Sequence, residues 1–449
     1  MTSRRSRMPA PSLVSRRRFL ESAAALVGLG LVGGCSQPAP PETRRSSEPV
    51  KVTFMSWGIP TAVEIRQGFA RTFTERNPGV IAEFVHVPTN YWDKLQTMLA
   101  GGVPPDVFFM NSYFFTSYAA KGVLLALTPL VKRDNFDLSD FHPLALRNYT
   151  YRDVLYALPR DLDSRHIIYN VELFARSGLE PPSSDIKGPY WPFDRFLQTA
   201  QNLTLTDNQK RIVQYGVDIQ TDFPYWISFV YTNGGDLFDE SLTRVRLTEE
   251  PAVAALQYLQ DLRFKHRVAP TPEALQEQSG LQMFYSGKVA MTMGGAWQVG
   301  DFRKFCKFEW DVALLPVGAT GRPITGSGGV AWAVAAQSKH QEIAWRLCQF
   351  LTSKEAQETE SRLGNTTPTR RSVARSPAFL DTQGKPPKHM ATFIDAQDIL
   401  RVPPQLVNWP EINQALVREL DYLWTGRRPA REVAQAIKQA IEPLLATGR

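Results

Sequence analysis

The sequence predicts an α/β fold laid out in two domains or lobes, and three observations carry that reading. Residues 50–110 alternate strand, helix, strand, helix, strand by hydrophobic period, the order that builds a parallel sheet with helices on both faces. Compact strands and amphipathic helices go on alternating beyond residue 150. At 449 residues the chain is also longer than one ordinary core accommodates.

The elements follow in order. Residues 50–55 alternate as a strand and run into Ser56-Trp57-Gly58. Ile65, Phe69 and Phe73 share one face of a helix over about 62–76, which Asn77-Pro78-Gly79 stops. A strand over 80–87 and a capped helix over 90–99 come next. Turns at Gly101-Gly102 and Pro104-Pro105 lead into a buried strand, 106–110, that ends on Asn111-Ser112-Tyr113. Helices fill 114–150, and strands at 155–159 and 166–170 flank Arg160-Asp161-Leu162-Asp163. Residues 172–205 read as helix, loop, helix, and 214–219 as a strand. Phe223-Pro224-Tyr225-Trp226 opens a helix that stops at Asn233-Gly234-Gly235, and Pro251 begins another. A strand over 310–316 precedes the glycine-rich run 326–332, and helices dominate from His340 onward.

One stretch, 283–297, carries the first functional signal. Its strand, 289–293, ends on Gly294-Gly295-Ala296-Trp297. Two glycines at the carboxyl end of a strand let another group approach the backbone, and ligands of open α/β sheets bind at that end. The indole of Trp297 offers a flat apolar face and one N–H donor, which suits a ring with polar edges.

The N-terminus reads as a sorting signal. Arg16-Arg17-Arg18-Phe19-Leu20 has a twin-arginine pattern, with Glu21 where lysine is common, and an apolar run over 23–32 follows. That run ends on Leu31-Val32-Gly33-Gly34-Cys35, which resembles a bacterial lipobox with Cys35 as the lipidated residue. The expectation is a leader over 1–34, a Pro-rich polar tether over 35–49, and a chain exported and lipid-anchored to the membrane, facing the periplasm or the cell exterior.

Charge excludes little beyond nucleic acid. Six arginines and one glutamate precede Cys35, so +5 of the net +7 lies in the leader and +2 remains. No basic stripe with interleaved aromatics follows it. The six histidines show no metal-ligand spacing, so neither metal nor cofactor is expected. An address outside the cell allows a Cys306–Cys348 disulfide. Against it, twin-arginine cargo folds before export, and Cys348 sits on an apolar helix face with Ala344, Leu347 and Leu351.

The ordered segments resemble the family 1 extracellular solute-binding proteins, the sugar-binding lipoproteins of ABC importers. They are 52–57, 105–109, 156–159, 168–174, 178–182, 233–235, 284–297 and 344–351. The resemblance implies a periplasmic-binding-protein-like fold of type II, with the ligand in a cleft between lobes joined by hinge crossings. Carried onto this chain, the crossings fall near 160–166, 283–290 and 320–326. Lobe one is then 50–162 with 288–322, and lobe two is 163–287 with 323–449. A ligand touching both lobes favours the closed state and so drives closure.

The implied function is capture of a carbohydrate, a related polyol or a glycerophosphate-type solute, delivered to ABC permease subunits by a monomer that is not an enzyme. Sugars present hydroxyl rims and C–H faces, so aromatic planes and paired hydrogen-bonding groups are the expected site. The strand ends and crossings supply Trp57, Asn111, Ser112, Tyr113, Asp161, Asp163, Gly295, Trp297, Gly328 and Gly329. Matching position in the family adds Tyr225, Trp226, Arg370 and Trp409. An Arg370 facing the cleft would favour a phosphate-bearing ligand. The competing class is a secreted carbohydrate-active hydrolase with Asp161 and Asp163 as its carboxylates. No Gly-x-Ser-x-Gly elbow and no His–Cys constellation supports another hydrolase chemistry.

Overall fold

A computed structural model describes residues 48–326, 329–402 and 404–447 of the protein. The expected leader, Cys35 and Gly328 lie outside the described residues.

The opening unit is the predicted one. It comprises β1 (Val50–Ser56), α1 (Pro60–Arg76), β2 (Val80–His86), α2 (Tyr91–Ala100) and β3 (Val107–Asn111). β1 pairs in parallel with β2 from Val50 opposite Val80 to Ser56 opposite His86, and in parallel with β3 on its other edge. Ile65, Phe69 and Phe73 are buried on α1. Pro60 fits at its first turn because no helical partner exists there for an N–H. The helix α3 (Ser112–Ala120) starts directly after β3, capped by Asn111, whose Oδ1 accepts from the Phe114 amide at 3.0 Å.

The chain then adds β4 (Ala157–Pro159), β5 (His166–Asn170), β6 (Leu205–Thr206), β7 (Ile212–Asp218), α4 (Phe223–Thr232) and α5 (Glu250–Phe264). After these come β8 (Val289–Gly294), α6 (Val299–Phe305), β9 (Trp310–Leu314), β10 (Val330–Val334), α7 (Gln341–Leu351) and α8 (Lys354–Arg362). The last two helices are α9 (Trp409–Trp424) and α10 (Ala430–Thr447). Two five-stranded sheets result, in the orders β2-β1-β3-β10-β4 and β9-β5-β8-β7-β6, and each with its helices makes one lobe. Both are mixed. β10 runs antiparallel to β3 and β4, and β5 runs antiparallel to β8 and β9.

This pairing corrects the expected lobe boundaries. β8 bonds to β5 and β7, and β9 bonds to β5, so 289–314 belongs to the second sheet and not the first. β10, expected in lobe two, lies between β3 and β4 in the first sheet. The chain therefore changes sheets over 160–165 and again over 315–329, while 283–290 is no crossing. A further passage runs beside the first, where the Leu162 amide donates to the Thr367 carbonyl at 3.1 Å. Beyond it Phe379 and Phe393 join Phe302 and Trp310 in the core under the second sheet. The error has a physical source. β8 and β9 are buried at every position, so no polar face marks which sheet they join.

The lobes also meet on one side of the crossings. The Thr61 amide and hydroxyl both donate to Asp301 Oδ1, at 3.1 and 2.5 Å, and Lys304 pairs with Glu64 at 2.9 Å. In the cores, Cys348 donates its Sγ to the Trp332 carbonyl at 3.3 Å, and Cys306 and Cys348 are both free and buried. Burial pushes each thiol up to about 12. Among the described residues no helix is long and apolar enough to cross a membrane.

Candidate functional site

A cleft of ≈ 840 Å³ opens where the two sheets face each other across the crossings. Its first wall comes from the ends of β1 and β3. Trp57 follows β1, and its ring packs edge-on to Tyr91 at 4.7 Å and to Phe109 at 5.1 Å. Trp92 lies 5.8 Å from Trp57 and stacks flat on Phe114 at 4.3 Å. Asn111 and Tyr113 line the same wall, Asn111 with its acceptor already committed to capping α3. Burial pushes the Tyr113 phenol well above its usual range.

The second wall is built from α4 and the turn after β8. Tyr225 and Trp226 come from α4, whose ten residues are all buried. Trp297 stands on a short 3₁₀ turn, Ala296–Gln298, and the Gly294-Gly295 pair now has a specific use. A Cβ at Gly295 would fall 1.9 Å from the Trp297 ring, and one at Gly294 would fall 2.5 Å from Gln298 Oε1. The missing side chains are what let the indole fold back over its own strand end.

The floor is the pair of crossings, and both aspartates clasp it. Asp163 Oδ1 accepts from the Gly329 amide at 2.7 Å, and Asp161 Oδ1 from the Val330 amide at 2.6 Å. Gly329 has φ +52°, and a Cβ there would meet the Asp161 carbonyl at 2.9 Å, so only glycine fits. Arg160, 2% exposed, donates to Asp161, to both Glu360 oxygens at 2.9 and 3.1 Å, and to Asn365 Oδ1 at 2.8 Å. Burial and the charge of Asp163 raise the Asp161 carboxyl to about 7 against the pull of Arg160. Arg165 pairs with Asp163 at 2.8 Å. Its guanidinium lies 4.9 Å from the Tyr225 ring centroid and 4.6 Å from that of Trp297.

The expected residues divide cleanly. Trp57, Asn111, Tyr113, Asp161, Asp163, Tyr225, Trp226, Trp297 and Gly329 line the cleft. Ser112 is fully buried behind the wall, because it begins α3 on the helix face turned to the core. Gly295 supports Trp297 from behind. Trp409 is fully buried, 5.9 Å from Tyr113 and 5.0 Å from Phe223, and so backs the wall rather than forming it. Arg370 lies outside the cleft. It covers Phe141 at 4.2 Å, donates to the Thr352 carbonyl at 2.8 Å and pairs with Asp140 at 3.3 Å. The condition under which Arg370 would favour a phosphate-bearing ligand, that it face the cleft, is therefore not met.

Sequence reasoning missed Arg66, Trp92, Arg160, Arg165, Asp222 and Trp424, all on the cleft. Two of these left a trace. Arg66 interrupts the apolar face of α1 next to Ile65, and Arg165 lies two residues after Asp163 in the same crossing. Among the described residues no cluster of His, Cys, Asp or Glu could hold a metal ion.

Comparison with known proteins bears on this arrangement. The profile of the family described as bacterial extracellular solute-binding proteins matches residues 60–358. A Brucella abortus protein classed as a binding protein is 21% identical over 410 residues, which cover 89% of this chain and 93% of that one. An ABC substrate-binding protein of Listeria monocytogenes, solved in complex with cycloalternan, superposes with a TM-score of 0.79 at 24% identity. That match covers 89% of this chain and 99% of the other. A receptor of Streptomyces glaucescens, solved unliganded and with acarbose, gives 0.77 at 24% identity over 89% of this chain and 100% of its own. At such identities the two structures establish the shared two-lobed fold.

Proposed function

This chain belongs to the bacterial extracellular solute-binding proteins, and from that premise we propose that its cleft captures a carbohydrate, a related polyol or a glycerophosphate-type solute for an ABC importer. The observation that carries the reading is the cleft itself. Aromatic rings on both walls face a floor of paired carboxylates, guanidiniums and backbone amides, the combination that sugar faces and hydroxyl rims require. The Listeria and Streptomyces proteins with the same fold were solved with cycloalternan and with acarbose, which supports a carbohydrate solute here.

Capture follows from the layout. A solute seated on Trp57 and Trp92 reaches Trp297 and Tyr225 only when the lobes are together, so each contact to the second wall favours the closed form. The floor sits where the chain changes sheets, so ligand contact and lobe rotation act on the same residues. Delivery to permease subunits, and attachment through a lipid on Cys35 after export, complete the proposal on the strength of the sequence segments given above.

Hydrolysis is disfavoured by the state of the carboxylates. A glycosidase needs two carboxyl groups flanking the scissile bond. Asp161 and Asp163 instead lie side by side, each bonded to a backbone amide and an arginine.

A thermal-shift panel of mono-, di- and oligosaccharides, polyols and glycerophosphodiesters tests the function, since binding raises apparent stability by mass action. A concentration-dependent rise with at least one solute is expected. No rise across the panel, or cleavage products after incubation with oligosaccharides, would overturn it.

A further inference from the structure

Arg66 is a buried cation that makes no direct ion pair among the described residues. It is 2% exposed, on the inner face of α1, and it lines the cleft. One amino group donates to the Trp57 carbonyl at 2.8 Å, and the guanidinium covers the Phe109 ring at 4.5 Å. Its Nε is buried without any hydrogen-bond partner. The chain makes room for it, since a Cβ on Gly58 would fall 2.4 Å from the guanidinium.

The other cleft arginines show the contrast. Arg160, 5.6 Å from the same Phe109 ring, pairs with Asp161 and Glu360, and Arg165 pairs with Asp163. Among the described residues no carboxylate lies within ion-pair distance of Arg66. Burial and the charge of Arg160 lower its pKa to about 9 against the pull of Glu360 and Asp161, which still leaves it charged at neutral pH. A buried, unpaired charge is costly, and removing its partner is among the more damaging changes a core can suffer. Here Glu360 and Asp161 attract Arg66 from beyond ion-pair distance while both are paired with Arg160, and Arg66 borders the binding cleft.

We propose that Arg66 is an anion subsite of the cleft, receiving a carboxylate or phosphate group on the captured polyol, whose sugar-like part rests on Trp57 and Trp92. The inference rests on the proposed function and narrows its solute to an acidic member of the class. A guanidinium presents Nε and amino donors along one edge, which matches two oxygens of a carboxylate or phosphate. Lysine would keep the charge without that fork.

The test uses the full chain and matched solute pairs: glucose and glucose 6-phosphate, glycerol and glycerol 3-phosphate, galactose and galacturonate. The expected result is that an acidic member binds the wild type about tenfold or more tightly than its neutral twin, the effect of one charge-assisted hydrogen bond. Arg66→Gln should abolish that preference, and Arg66→Lys should keep part of it. Should Arg66→Gln not fold, the wild-type salt dependence decides instead. Acidic solutes should weaken as ionic strength rises while neutral ones do not. Equal binding of both twins, a preference surviving in Arg66→Gln, or salt-independent binding of the acidic twin overturns the inference. Neutral sugars binding with no preference for any acidic twin would leave the proposed function standing and remove only this inference. No response to any solute, acidic or neutral, would remove both.

Discussion

The Arg165 guanidinium lies over the Trp297 ring, 4.6 Å from its centroid, and covers part of the surface on which the proposed solute would stack. It also lies 4.9 Å from Tyr225 and pairs with Asp163 at 2.8 Å, so the protein fills part of its own aromatic slot. A solute that stacks on Trp297, as proposed, would use the ring surface that Arg165 leaves free or displace it.

Trp297→Ala removes that platform and should weaken solute binding about tenfold, since aromatic stacking is worth roughly 0.5–1.5 kcal/mol beyond area burial. Gly295→Ala should match it without touching the indole, because the new Cβ would fall 1.9 Å from the ring and push it aside. Calorimetric titration with the best solute of the panel compares the two. A Gly295→Ala protein that binds like wild type would contradict the supporting role given to this glycine.

Asp163→Ala leaves Arg165 buried without its partner and frees the Gly329 amide. Breaking a buried pair from one side costs about 3–5 kcal/mol, so a large loss of stability in urea unfolding is expected. A change under about 1 kcal/mol would show that the pair is solvated in solution.

Arg370→Ala should leave solute affinity within about twofold, because Arg370 lies off the cleft on Phe141 and Asp140. The cost should appear in stability instead, at about 1–2 kcal/mol for the lost partly buried pair and hydrogen bond. A large loss of affinity with unchanged stability would return Arg370 to the binding site.

His166 sets an acid limit on the fold. The ring is fully buried, hydrogen-bonded to the Ser164 hydroxyl at 2.7 Å, and burial lowers its pKa to about 3. The unfolded chain binds this proton below about pH 6.5, while the native state refuses it until about pH 3. Stability from this group is therefore fully present above pH 6.5 and is lost as pH falls toward 3. At pH 4 the loss amounts to about 3 kcal/mol. In urea unfolding at pH 7 and pH 4, His166→Gln should show a smaller drop than wild type. Equal drops would contradict the assignment.

Much of this was legible in the sequence. Residues 50–110 announced their strands and helices because β1, β2 and α1 each have one wet face and one dry one. Trp57, Asp163 and Trp297 were found because strand ends and crossings are where cleft residues must come from. The lobe assignment of β8 was not legible, since a strand buried on both faces carries no mark of its sheet. Nor was the pairing of Arg165 with Trp297, which lie 132 positions apart in the chain, a closeness that only the folded second sheet creates. Arg66 could have been noticed as a lone charge in an apolar stripe, yet its want of a partner is a property of three dimensions alone.

Arg160 gathers all three passages between the sheets onto one side chain. It sits in the first and holds Asn365 in the third, and Asp161, which it pairs with, holds the Val330 amide at the end of the second. Three tethers meeting at one point oppose translation in the relative movement of the two halves, because sliding either would break the buried Arg160–Asp161 pair and the hydrogen bonds beside it. What remains is rotation about that point, so the path between the apo and loaded forms reduces to an angular coordinate with its origin at the cleft floor.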